Sequence, residues 1–157
     1  MIMVEYEIET AIRAAIRTSL DAFTATVPEL QDCIIVGDWL APEDGRSNDY
    51  QGMRVELSAQ PSSAEGYIPG TGFTPQRTVS FNVMCVSQPD SDQDNRICNA
   101  LYEATRTVFE TAPLLFTFPA SIKFGGMLIQ SGGSLMVEGE GKVRGFIVDF
   151  KVSINPT

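Results

Sequence analysis

The sequence predicts an α+β domain in which two amphipathic helices pack on one face of a mainly antiparallel β-sheet. Apolar residues recur at three- and four-residue steps in two segments, and they alternate with polar residues in several others. Stretches rich in glycine and proline separate these segments. With 157 residues, of which 43% are hydrophobic, the chain is long enough to bury one core. We therefore predict a single domain over residues 1–157, with an extended loop at 60–76.

The first predicted helix runs from Val4 to about Phe23, because the apolar positions in this stretch follow the helical period. Its apolar stripe comprises Ile8, Ala11, Ile12, Ala15, Ile16, Leu20 and Phe23. Glu9 and Arg13 form an i, i+4 pair of opposite charge, and we expect both on the solvated side of this helix. A short β-branched run at 33–36 follows and predicts the first strand.

Two further strands are predicted at 53–59 and 77–87, where apolar and polar residues alternate. The segment between them, 60–76, contains repeated prolines and glycines and predicts an extended hairpin loop. A connection longer than about 12 to 15 residues in a compact domain is usually functional or disordered. We expect the two strands to pair across this loop.

The second predicted helix lies between Asp92 and Thr111, with Ser91 or Asp92 as its N-cap. Short strand-like pieces then follow, separated by Gly125-Gly126 and Gly132-Gly133, where bulges or turns are expected. A tight hairpin at 138–141 leads into the last strand, 142–154.

The last strand alternates so regularly that one of its faces is predicted to be buried. Apolar residues occupy every second position from Phe146 to Ile154, whereas Asp149 and Lys151 fall on the opposite face. We expect this opposite face to meet neighbouring copies of the protein.

The composition excludes several kinds of chemistry. The chain contains no histidine, which removes the Ser-His-Asp and Cys-His mechanisms and histidine zinc sites. Cys33, Cys85 and Cys98 are scattered without metal-ligand spacing, so we predict reduced, buried thiols. We therefore predict no enzymatic activity, no catalytic residue, no cofactor and no metal.

One acidic run has the opening pattern of a calcium-binding loop. Asp90, Asp92 and Asp94 match the first positions of an EF-hand. Asn95 stands where that loop requires glycine, and Leu101 stands where it requires a bidentate acid. Helix capping explains the run better than calcium binding does.

The charge balance limits the partners. Twenty acidic and 11 basic residues give a net charge of −9, so most of the surface is expected to repel the phosphate backbone of nucleic acids. No apolar run approaches the roughly 20 residues of a membrane-spanning helix. The N-terminus carries acids where a secretory signal carries basic residues, so we expect a cytoplasm-like compartment.

Large apolar side chains in loop-like segments predict surfaces for assembly. Such residues are typical interface anchors, although each one alone also fits a local packing role. The candidates are Trp39, Leu40, Tyr50, Tyr67, Ile68 and Phe73, together with Asp149 and Lys151 on the last strand. Taken together, they favour a protein that forms rings or stacks.

The order of these elements resembles the tail terminator, or tail completion (neck), protein family of tailed bacteriophages. The layout that carries the resemblance is a first helix ending near Phe23, a long loop at 60–75, a helix at 92–111 and closing strands through 146–154. It covers most of the chain and includes no specific residue motif, so no functional residue is carried over.

The resemblance implies a structural protein of the virion tail or neck. It would form a homo-oligomeric ring, a hexamer in such families, that caps the tail tube, ends its polymerisation and joins it to the head connector. Assembly would take place in the host cytoplasm, and DNA would pass through the acidic lumen without sequence-specific binding.

Other functions stay open from the sequence. The same layout fits another tail-tube or head-completion component. A small-ligand or metal-binding module, or an enzyme that works without histidine, would be a different class.

Overall fold

The computed structural model describes residues 4–41, 52–59, 77–87, 96–111, 116–129, 136–138 and 141–154. Its elements are, in chain order, α1 (Val4–Phe23), a 3-10 turn (Pro28–Asp32), β1 (Ile34–Gly37), β2 (Arg54–Ala59), β3 (Arg77–Ser87), α2 (Arg96–Thr111), β4 (Ile122–Ile129), β5 (Met136–Glu138) and β6 (Gly141–Ile154). The predicted α+β class is confirmed. The predicted caps of the second helix, Ser91 and Asp92, and the acidic run at 90–95 lie outside the described residues.

The strands form one sheet in the order β1-β2-β3-β6-β4, and β5 pairs with the start of β6. β2 and β3 pair antiparallel, which confirms the expected pairing across the long loop. The hairpin before the last strand is also confirmed, because Glu138 lies opposite Gly141. β1 pairs with β2 in parallel, an arrangement that the alternation of apolar residues did not indicate.

Both helices bury their apolar stripes against the same face of the sheet, in a core that they share with β1, β2, β3, β4 and β6. Aromatic contacts join the two layers at the centre. The ring of Phe109 on α2 lies 5.3 Å from that of Phe146 and 6.3 Å from that of Phe150 on β6. We call the opposite side of the sheet its outer face. Cys33, Cys85 and Cys98 are buried and reduced, as predicted.

β4 is one strand interrupted by a bulge, where the sequence predicted a bulge or a turn between two strand-like pieces. The pairing register with β6 shifts between Phe124 and Gly126. Gly126 has a φ of 139°, a conformation that side chains with a Cβ rarely adopt, while no atom lies within 4 Å of the Cβ position. Glycine is therefore required at this position by the backbone and not by crowding.

Candidate assembly interface

Trp39 and Leu40 lie in residues 38–41, directly after β1, and we call this segment the β1 loop. Trp39 is 47% exposed and Leu40 is half-buried. β1 is an edge strand of the described sheet, so Trp39 lies beside one edge of that sheet. The remaining aromatic and aliphatic loop candidates, Tyr50, Tyr67, Ile68 and Phe73, lie outside the described residues.

The β1 loop is held in place by the carboxylate of Glu9 on α1. Oε1 of Glu9 accepts a hydrogen bond from the backbone N–H of Asp38 at 3.0 Å. Oε2 accepts from the N–H groups of Trp39 and Leu40, at 3.0 and 2.7 Å. Glu9 is fully buried, which corrects the prediction that it lies on the solvated side of the helix. One side chain thus orders three successive residues.

Further hydrogen bonds fix both ends of the β1 loop. Arg13, one turn after Glu9, donates from its guanidinium to the carbonyl oxygen of Ala41 at 2.6 Å. The carboxylate of Asp38 accepts the backbone N–H of Ala59 at 2.9 Å. The backbone that carries Trp39 is therefore tied both to α1 and to the end of β2, so the indole is presented from an ordered segment.

The same carboxylate explains why glycine occupies position 37. A Cβ at this position would lie 2.6 Å from Cδ of Glu9 and 2.6 to 2.7 Å from its two carboxylate oxygens. Such a separation is far below van der Waals contact, and the carboxylate is fixed by its three donors. Glycine here lets the side chain from α1 reach the N–H groups of the β1 loop.

The electrostatics of Glu9 reflect two opposing effects. Burial raises the pKa of Glu9 above its ordinary value, and the neighbouring carboxylate of Asp38 acts in the same direction. The backbone N–H groups of Leu40, Trp39 and Asp38 oppose this rise because they stabilise the charged form. Burial has the larger effect, so the pKa of Glu9 is raised.

The sequence contains one signal that could have revealed the burial of Glu9. It stands three residues before Ile12 and seven before Ile16, so it falls inside the apolar stripe of α1. A carboxylate in an apolar stripe needs a hydrogen-bonding partner when it is buried. The partners of Glu9 are backbone N–H groups, which nearly every residue carries, so the sequence alone could not identify them.

Asp149 lies on the outer face of β6, as predicted, but it is only 6% exposed. Its Oδ1 accepts a hydrogen bond from the hydroxyl of Ser80 on β3 at 2.6 Å. β6 is flanked by β3 and β4, and this central position buries the carboxylate. Asp149 therefore offers little surface to a neighbouring copy, whereas Lys151, two residues later, is exposed.

A second exposed apolar side chain, which the sequence interpretation missed, lies at the other edge of the sheet. Leu128 on the edge strand β4 is 56% exposed. It stands opposite Asp149 in the register, and Gly126 stands opposite Lys151, which places Leu128 and Lys151 on the outer face. We call Leu128 with the exposed Lys123 and Lys151 the β4 patch.

Within the described residues, no group of three or more histidines, cysteines, aspartates or glutamates is placed to hold a metal ion. Nor is any helix in these ranges long and apolar enough to cross a membrane. No protein-family model matches the chain, and a search of curated proteins finds no match.

Proposed function

We propose that this chain is a structural virion protein of a phage tail or neck. It forms a ring, by resemblance a hexamer, that caps the tail tube, ends its polymerisation and joins the tube to the head connector. The layout of helices and strands provides the resemblance. The observation that carries the proposal of a ring is the position of two exposed hydrophobic side chains, Trp39 and Leu128, at opposite edges of one sheet.

This placement suits a ring because of the symmetry of its contacts. A two-fold dimer uses the same patch on both copies, whereas a ring requires two different patches, each meeting the other on the next copy. Patches at opposite edges of a domain allow the contact to be repeated from copy to copy. If the rotation from each copy to the next returns to the first copy after a whole number of copies, the assembly is a closed ring.

The charge of the chain fits a channel for the genome. A net charge of −9 disfavours adhesion to the phosphate backbone, so DNA would slide through the lumen. The tail tube protein and the head-connector proteins would bind the two ends of the ring. The assembled protein would belong to the virion, after assembly in the host cytoplasm.

The proposal is tested by negative-stain electron microscopy and native mass spectrometry of the purified chain. We expect closed rings with a central opening, all with the same number of subunits. A protein that stays monomeric at about 100 µM, far above the Kd of a micromolar contact, contradicts the proposal. Open filaments without closed rings also contradict it.

The long loop offers a second test, which rests on the sequence because residues 60–76 lie outside the described residues. Deleting residues 62–74 is expected to leave a folded protein that no longer assembles. Circular dichroism checks the fold, and size-exclusion chromatography with light scattering gives the mass. Unchanged assembly would remove this loop from the interface.

A further inference from the structure

The β1 loop and the β4 patch carry opposite charge. Asp38, beside Trp39 in the β1 loop, is exposed. Lys123 and Lys151 are exposed on the outer face, and both lie on the side of Leu128 towards the start of β4. An exposed carboxylate beside an exposed indole, and exposed lysines on the face that carries Leu128, therefore lie at opposite edges of the described sheet.

We propose that the occupant of the β4 patch is the β1 loop of a second copy of this chain. Trp39 of one copy packs on Leu128 of the next, and Asp38 lies near the ammonium groups of Lys123 and Lys151. This inference rests on the proposed function, for which it names the contact between neighbouring subunits.

Charge favours a second copy as the occupant. Two copies with a net charge of −9 repel each other at long range, so complementary local charges favour their association. The lysines of the β4 patch supply that complement for the β1 loop. A contact between two β1 loops would instead bring two Asp38 carboxylates together, which disfavours a two-fold dimer through Trp39.

The ordering of the β1 loop favours Trp39 as the anchor. Tryptophan is among the residues that contribute most to binding in protein interfaces. Ordering a loop on association costs free energy, and that cost is lower when the loop is already fixed in the free protein. The three N–H bonds to Glu9 and the bond from Arg13 to Ala41 fix it before association.

The experiment uses two variants of the full chain, Trp39→Asp and Leu128→Asp. Each keeps one intact surface and loses the other. Because both side chains are exposed, the variants are expected to fold, which circular dichroism and thermal melting check. Trp39→Phe and Leu128→Ile are the matched controls that preserve apolar character.

Native mass spectrometry, with one variant isotopically labelled, is the readout. Each variant alone is expected to be monomeric. An equimolar mixture is expected to give a 1:1 heterodimer and nothing larger, since one intact Trp39 meets one intact Leu128. The two conservative controls are expected to keep the oligomer of the wild-type protein.

The remaining outcomes separate this contact from the proposed function. Closed rings that survive either aspartate variant, or a mixture that stays monomeric, overturn the contact and leave the ring in place if the wild type forms one. A heterodimer from the mixture together with wild-type filaments that never close supports the contact and contradicts the ring. A wild type that is monomeric at about 100 µM overturns both.

Discussion

Among the residues that the structure describes, the carboxylates of Glu9 on α1 and Asp149 on β6 are buried, and they stabilise the fold in different ways. Glu9 accepts three hydrogen bonds from backbone N–H groups of the β1 loop. Asp149 accepts a hydrogen bond from the hydroxyl of Ser80, across two neighbouring strands. A hydroxyl can rotate to another acceptor, whereas a backbone N–H has its direction set by the chain. Loss of Glu9 should therefore disturb more of the structure than loss of Asp149.

The largest expected effect follows from Glu9→Ala. It leaves three backbone donors without their acceptor, and we expect the free energy of unfolding to fall by about 3 kcal/mol. The chain contains one tryptophan, Trp39, so intrinsic fluorescence anisotropy reports directly on the β1 loop. The anisotropy should fall at temperatures where circular dichroism shows an intact fold. An anisotropy equal to that of the wild type would show that Glu9 does not order the loop.

Gly37→Ala is expected to cost about 2 kcal/mol, because its Cβ would overlap the carboxylate of Glu9. In the Glu9→Ala background the carboxylate is absent and the same change should cost far less. A double-mutant cycle from urea denaturation measures this coupling. Additive effects would mean that the crowding at Gly37 arises from the backbone and not from Glu9.

Asp149→Asn should cost about 1 kcal/mol, because an amide oxygen can still accept from Ser80. Ser80→Ala removes the hydroxyl from the other side and serves as the matched variant. Neither change should alter the anisotropy of Trp39. A cost for Asp149→Asn above that of Glu9→Ala, measured by urea denaturation, would reverse the ranking of the two carboxylates.

The smallest effect concerns pH. Since burial raises the pKa of Glu9 in the folded state above its ordinary value of 4.5, the folded protein binds this proton more tightly than the unfolded chain does. The stability contributed by this group is therefore complete below pH 4.5 and is lost as the pH rises through the raised pKa.

Glu9→Gln removes that titration and isolates it from all other groups. We expect the stability of the wild type minus that of Glu9→Gln to be largest at low pH and to decline as the pH rises. Urea denaturation at a series of pH values measures this difference. A difference that grows with rising pH would mean that the N–H bonds outweigh burial and that the pKa of Glu9 is lowered.

The sequence predicted the parts of the fold that depend on periodicity. The stripes of the two helices and the alternation along β3 and β6 correctly placed both helices and the central strands. The parallel pairing of β1 with β2 was not predicted, because a run of four residues carries no information on strand direction.

The candidate interface was predicted less completely, for physical reasons. Trp39 was selected as an aromatic residue in a loop, and the structure does expose it. Asp149 is buried because β3 and β4 flank β6 on its two sides. The residue pattern of a single strand does not show which strands lie beside it. Leu128 is exposed because it follows the bulge at Gly126 on an edge strand, and the sequence does not show on which face a residue after a bulge lies.

The bulge in β4 also affects how readily another chain could add a strand at this edge of the sheet. A long, flat edge strand is a template on which another chain can add a strand, and such additions extend without limit into fibrils. β1 is four residues long, and β4 is bent where its register shifts. Both described edges are thus poor templates for main-chain addition. In the proposed assembly, copies that meet at these edges would recognise each other through side chains, whose geometry sets an angle between copies and so permits an assembly of finite size.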